Sequence, residues 1–228
     1  MILSVIPYIS RFEPFPPVDR ALRQFDGLLC AGADLSIERL IDAYSQGIFP
    51  WYIDGEPILW WSPDPRQILF VDEFHVSRSL RRRLNNNPFE TTYNAAFERV
   101  VRACAEPRKD EEGGWLTPEM IEAYIELHRA GHAHSVEAWK DGSLVGGVYG
   151  VLIGRSFSAE SMFYRVSDAS KIALYRLCQR LKTMGVPFID CQQITPHTTA
   201  LGARAVPRKE FVALLADLTQ QPALEPFA

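Results

Sequence analysis

At Gly131 the apolar pattern of this chain changes period, and that change limits the folds open to it. Over residues 118–130 apolar side chains recur at helical spacing, behind Thr117 as a cap and Pro118 at the first helical position. Beyond Gly131, residues 134–139 and 144–153 alternate about an Asp141-Gly142 turn, the pattern of a β-hairpin. Gly154-Arg155 turns the chain into a third strand at 156–163, so residues 134–163 read as an antiparallel meander. Helical spacing returns at 168–184, a strand follows at 187–192, and a last helix lies near 207–218. Such an order belongs to an α+β fold.

Two of these strands carry polar groups where packing alone wants none. Glu160 sits in a strand of small and aromatic residues, and Asp190 and Gln192 lie two apart in another. Strand side chains alternate, so Asp190 and Gln192 are expected to present a carboxylate and an amide on one face. A buried carboxylate without a partner costs several kcal/mol, so such a group is either paired or functional. Gly146, Gly147 and Gly150 weaken the central strand, which implies that a ligand or another segment approaches its backbone closely.

Upstream, Pro14, Pro16 and Pro17 exclude regular helix. Ser36 is expected to cap a helix with Ile37, Leu40, Ile41 and Tyr44 at helical spacing, ended by Gly47. Trp51, Trp60 and Trp61 then crowd into a proline-rich stretch. They make an aromatic mini-core, a platform for a flat ring such as a base, or both. A short helix over 74–84 carries Arg78, Arg81, Arg82 and Arg83, either a solvated face or a phosphate contact. A further amphipathic helix spans 93–104, and a charged loop at 106–114, read as mobile, delivers Trp115.

The apolar fraction of 47% and charged fraction of 23% are those of an ordinary globular protein. At 228 residues the chain can form one large domain or one with a smaller partner. No apolar run nears the roughly 20 residues of a membrane span. The first residues lack the basic flank of a secretory signal, so the expected location is cytoplasmic, with no membrane partner. Cys30, Cys104, Cys178 and Cys191 have no C-x-x-C spacing, and His132 and His134 have no acidic or thiolate companion, so no metal site is expected. A net charge of -4 gives no general pull toward nucleic acid, so any RNA contact must be local. Nothing demands more than a monomer.

Several blocks are more specific than these patterns. They are Gly47-Ile48-Phe49-Pro50-Trp51, Leu59-Trp60-Trp61-Ser62-Pro63-Asp64-Pro65-Arg66, His132-Ala133-His134-Ser135-Val136-Glu137, Glu160-Ser161-Met162-Phe163, Asp168-Ala169-Ser170-Lys171, Ile189-Asp190-Cys191-Gln192 and the late His197 with Leu201-Gly202-Ala203. In this order, over nearly the whole chain, they resemble the bacterial leucyl/phenylalanyl-tRNA–protein transferases. The resemblance implies a small N-terminal α/β domain, residues 1–65, before an acetyltransferase-like (GNAT-like) catalytic domain, residues 66–228. It implies transfer of leucine or phenylalanine, with methionine as a further candidate, from aminoacyl-tRNA to proteins beginning with arginine or lysine. Proteins so tagged enter the N-degron route of degradation. No cofactor is implied, because the ester to tRNA already supplies the driving force.

The resemblance also implies a site. Asp190 and Gln192 correspond to the catalytic pair, with Glu160 beside them. Trp51 and Trp115 correspond to tryptophans that hold the terminal adenosine. Phe157 and Ile189 line the side-chain pocket, together with Val148, Leu177 and Leu181 where the family pattern has methionine and two phenylalanines. Arg78, Arg81, Arg82 and Arg83 match the basic tRNA patch, although Asn85 and Asn86 stand where two more basic residues are expected. Ala159 replaces an expected glycine and Ala200 an expected serine.

The implied reaction is aminolysis of an ester, helped by deprotonating the amine, orienting it, and stabilising charge on the carbonyl oxygen. Asp190 with Gln192 suits the first two tasks; Glu160 suits the amino group of the transferred residue or the ribose hydroxyls. A rival reading is an acyl-CoA N-acetyltransferase, but residues 163–168 contain no glycine for a pyrophosphate turn. A rival of another class is a non-catalytic RNA-binding module that stacks bases on Trp51 and Trp115.

Overall fold

The computed structural model describes residues 6–86, 88–107 and 116–228, and its strands fall into two sheets. The smaller holds β1 (Tyr8–Ile9), β2 (Leu28–Gly32), β3 (Phe49–Pro50) and β4 (Leu59–Trp61), in the order β1-β2-β4-β3. Helix α1 (Ile37–Ser45) buries Leu40, Ala43 and Tyr44 at the expected spacing. Gly47 follows it at φ +74, as a left-handed helix terminator requires. Ser36 does not cap with its side chain; its backbone N–H donates to Asp34 Oδ1 at 3.1 Å instead. The tryptophans differ in burial. Trp60 is fully buried, donates to the Gly32 carbonyl at 2.9 Å and meets the Phe15 ring edge-on, whereas Trp51 stays 39% exposed.

The larger sheet holds β5 (Arg66–Phe70), β6 (Glu90–Tyr93), β7 (Ala133–Lys140), β8 (Ser143–Ile153), β9 (Ser156–Tyr164), β10 (Phe188–Gln192) and β11 (Arg204–Val206). Their order is β11-β5-β10-β9-β8-β7-β6, and β9–β10 is its parallel pair. The meander β7-β8-β9 is the one expected, with Asp141 and Gly142 both at positive φ in its first turn. A parallel neighbour needs a crossover, here α5 (Ala169–Thr183) between β9 and β10. The meander, crossover helix and following strand come in the order expected from the sequence. Strands β5, β6 and β11 lie outside the sequence reading. The Glu-Thr-Thr-Tyr stretch of β6 is a polar edge strand, and β5 begins with two polar residues, Arg66 and Gln67, that are nevertheless buried.

The remaining helices are α2 (Arg78–Asn86), α3 (Phe97–Ala105), α4 (Pro118–Arg129), α6 (Pro196–Ala200) and α7 (Arg208–Leu218). Thr117 caps α4 through its hydroxyl, which accepts from Met120 N–H at 3.2 Å. Alternation along β8 sends Tyr149 and Val151 into a core with α1, α3 and α4, and Val148 and Leu152 into a second core under α5. Other segments of the same chain make the close approach that the strand glycines imply. A Cβ at Gly146 would lie 2.6 Å from the Ala169 Cβ of α5, and one at Gly150 would lie 2.5 Å from the Phe157 ring. No helix among the described residues is long and apolar enough to cross a membrane.

Candidate active site

Strands β9 and β10 pair only at Phe157 with Ile189 and Ser158 with Asp190. Past those pairs, Ala159, Glu160, Ser161 and Met162 of one strand and Cys191 and Gln192 of the other line a cavity of about 440 Å³. Val148, Leu174 and Ile189 make an apolar wall, Trp51 and Pro50 stand on another side, and Thr195, His197 and Thr198 rim it. That size suits a small organic group, and an apolar lining with few polar groups is the usual form of such a site.

Glu160 occupies an irregularity in strand pairing, since Tyr149 pairs with Ser161 and Gly150 with Ala159. The extra residue re-aims its side chain. Its Oε2 accepts from the Tyr124 hydroxyl at 2.8 Å and its Oε1 from Gln192 Nε2 at 2.7 Å. The Tyr44 hydroxyl lies 2.7 Å from that of Tyr124, so α1, α4, β9 and β10 all contribute to one polar chain. Burial pushes the Glu160 carboxyl up to about 7; Tyr124, Tyr44 and Gln192 oppose that rise, and the charge of Asp190 adds to it. Burial, then the Glu160 charge, hold both tyrosine hydroxyls well above their ordinary range, so they remain donors.

Asp190 is bound differently. Arg66 Nε donates to its Oδ1 at 2.7 Å and Arg66 Nη2 to its Oδ2 at 2.7 Å, with both residues 1% exposed. Gln192 N–H adds a bond to Oδ1 at 2.9 Å and Ser158 Oγ one to Oδ2 at 3.3 Å. A carboxylate offers about four acceptor positions, and four donors fill them. The Arg66 guanidinium also donates to the Gly47 carbonyl at 3.1 Å and lies between the Phe49 and Phe211 rings, 4.9 and 4.8 Å from their centroids. Asp190 is thus the buried anchor of a joint between β5, β10, the α1–β3 turn and α7.

The expected relation between Asp190 and Gln192 therefore needs correction. Regular alternation does not set it: the β10–β5 register shifts between them, and Gln192 adopts φ +62. Gln192 turns its amide onto Glu160 while its backbone N–H serves Asp190. Of the residues expected at the site, Glu160, Gln192, Trp51, Val148 and Ile189 line the cavity. Phe157, Leu177 and Leu181 lie fully buried in the apolar cluster that also contains Val148 and Ile189. Trp115 and most of the 106–114 loop lie outside the described residues. Arg78, Arg81, Arg82 and Arg83 are exposed on α2, and Arg83 pairs with Asp168 at 3.6 Å.

Sequence reasoning missed Arg66, Tyr44, Tyr124, Met162 and Leu174. Tyr44 and Tyr124 fit apolar helix stripes; the available signal was that a buried tyrosine hydroxyl needs a partner. It also missed Gln67, 1% exposed, whose Oε1 accepts from Thr195 N–H at 3.1 Å and Thr198 Oγ1 at 2.5 Å, fixing the cavity rim. Among the described residues no cluster of His, Cys, Asp and Glu is arranged to hold a metal ion.

Known proteins similar to this chain share one description. The family model described as "Leucyl/phenylalanyl-tRNA protein transferase" matches residues 68–216, and that of its N-terminal domain matches residues 33–64. Proteins of that description from Nitrosomonas eutropha and Nitrosospira multiformis are each 55% identical to this chain. The first match covers 92% of this chain and 89% of the relative, the second 94% and 92%. One from Chromobacterium violaceum is 52% identical, over 96% of this chain and 94% of the relative.

Proposed function

The chain belongs to the leucyl/phenylalanyl-tRNA–protein transferase family and is an aminoacyltransferase working between tRNA and protein; on that premise we propose that it moves leucine or phenylalanine onto proteins beginning with arginine or lysine. The observation that carries this reading is Glu160, a carboxylate held by uncharged donors in the wall of an apolar cavity. The apolar wall of Val148, Leu174 and Ile189 takes the transferred side chain. Trp51, half exposed beside it, takes the terminal base of the tRNA, and its ring is braced by Trp61 at 5.7 Å. Methionine fits the same wall by its flexibility.

The bond changes are simple. The acceptor amine attacks the ester carbonyl carbon, a C–N bond forms, and the C–O bond to the ribose breaks. One amine proton must leave and the ribose oxygen must gain one. Glu160 takes the first and returns it to the second, for which a carboxyl near 7 is well matched. Gln192 and Tyr124 fix the carboxylate's orientation. The proton-acceptor role that the sequence suggests for Asp190 passes to Glu160, because the acceptor positions of Asp190 are filled by Arg66, Gln192 and Ser158. Asp190 instead supports the Gln192 backbone and holds the surrounding joint together.

Arg78, Arg81 and Arg82 extend the reading to tRNA phosphates. A division into residues 1–65 and 66–228, a cytoplasmic location, a monomeric state and entry of the products into N-degron degradation complete it. The test supplies leucyl- and phenylalanyl-tRNA with peptides beginning in arginine, lysine or alanine. Transfer to the first two alone supports the proposal; release of the amino acid to none, or acetylation from acetyl-CoA instead, defeats it. Neutralising Arg78 and Arg81 together should reduce the log-log salt slope of tRNA binding by roughly 0.7–0.9 per lost contact.

A further inference from the structure

The apolar wall of the cavity continues inward through Phe157, and what stands behind Phe157 comes from the far end of the described chain. Residues 221–227 are strapped across the sheet and α5 by a set of hydrogen bonds. Arg155 donates to the Pro222 carbonyl at 2.8 Å and to Gln221 Oε1 at 2.9 Å, and Leu224 N–H donates to the Met184 carbonyl at 3.0 Å. Arg180 of α5 donates to the Phe227 carbonyl at 2.9 Å, to the Pro226 carbonyl, and to Glu225 at 2.9 Å. Nothing in the periodicity of residues 221–227 announces an element there. The strap exists because two arginines satisfy its carbonyls.

Its effect is to insert one ring. Phe227 is 4% exposed and lies flat on His134, centroids 4.3 Å apart at 14°, and nearly parallel to Phe157 at 6.1 Å and 16°. Tyr93 meets it edge-on at 6.1 Å. Burial keeps His134 down at about 4, so the stack is uncharged at neutral pH. Phe227 shares one apolar cluster with Val148, Phe157, Leu177, Leu181 and Ile189. Val148 and Ile189 are cavity walls, and Ile189 pairs with Phe157 across the β9–β10 register. Phe227 therefore packs against the strand neighbour of a wall residue.

We infer that Phe227 is a specificity-determining positioning residue, which sets the depth of the apolar cavity through Phe157 and thereby the choice among transferred side chains. The inference rests on the reading that the cavity receives the side chain being transferred. Interiors are close-packed, and a ring removed from behind a wall leaves space into which the wall can relax. A deeper cavity favours the longer, aromatic side chain over leucine.

The experiment uses the full chain as wild type, Phe227→Ala and Phe227→Leu, with leucyl- and phenylalanyl-tRNA competing for one arginine-initiated peptide. The ratio of kcat/KM for phenylalanine over leucine should rise about tenfold in the Ala variant, the scale of small size changes in an apolar pocket. The Leu variant, which keeps much of the apolar bulk, should shift the ratio the same way by a smaller factor, and carries the test if the Ala variant fails to fold. The change should fall on KM more than on kcat. An equal loss for both amino acids, or an unchanged ratio, overturns the inference and leaves Phe227 a stabilising residue only. A wild-type chain that transfers neither amino acid defeats the underlying reading of the cavity instead.

Discussion

Glu160 and Asp190 are carboxylates on neighbouring strands, and the protein binds them in opposite ways. Asp190 has a guanidinium across both oxygens and two further donors, 1% exposed inside a joint of four elements. Glu160 has a phenol and an amide, no cation, and faces the cavity. Ion pairing with every acceptor position filled makes a carboxylate a fastener. Neutral donors alone leave it able to exchange a proton near neutral pH. Gln192 joins the two, with its backbone on Asp190 and its side chain on Glu160.

The strongest way to break this contrast is Glu160→Gln. The shape is kept and the proton acceptor removed, so transfer should fall by about two to four orders of magnitude with the fold retained. The variant also reports on pH. The carboxyl of Glu160 is raised from 4.5 to about 7 in the folded state, so the protonated form favours folding. That contribution is fully present below about pH 4.5 and is lost as pH rises through about 7. Relative to wild type, the Gln variant should gain thermal stability between pH 5 and pH 8; a constant difference would contradict the raised pKa.

Asp190→Asn probes the other side. It leaves Arg66 buried without a counter-charge, and breaking one half of such a pair costs about 3–5 kcal/mol. Denaturant titration should show that loss, while turnover per folded molecule stays near wild type. Full stability with a large loss of turnover would return Asp190 to the chemistry and erase the distinction.

Tyr124→Phe sharpens the comparison. Removing a donor that favours ionised Glu160 should move the rate profile to higher pH by about one unit. Relative to wild type the loss is then up to about tenfold below pH 7 and vanishes near pH 9. A uniform loss at all pH values would mean that Tyr124 acts on geometry instead.

The smallest effect is expected at Tyr149, whose ring lies 5.5 Å from that of Tyr124 and whose buried hydroxyl has no hydrogen-bond partner among the described residues. Tyr149→Phe removes an unsatisfied polar atom and should raise stability by about 1 kcal/mol, read as a higher Tm. A lower Tm would assign that hydroxyl to the polar chain of Glu160.

Much of the fold is legible along the chain. The change of period at Gly131, the Asp141-Gly142 turn, and the cap and proline at Thr117 and Pro118 are local signals, and the strands and helices they announce form where expected. Local steric and hydrogen-bonding preferences act over a few residues, so such elements need no distant partner to be recognised. Strands β5 and β6 were not legible, because Arg66, Gln67 and the threonines of β6 belong in a sheet only once the sheet exists.

The sequence by itself determined which groups were available: an apolar pocket set, three polar residues on two strands, and a run of arginines. Only the tertiary structure decided what surrounds each one. Asp190 and Glu160 look alike as letters, and Arg66 lies 124 residues from one and Tyr124 lies 36 from the other. The protonation and reactivity of a carboxylate follow from the charges and donors within a few ångströms. Those neighbours are brought together by folding, so their effect cannot be read from the order of residues along the chain.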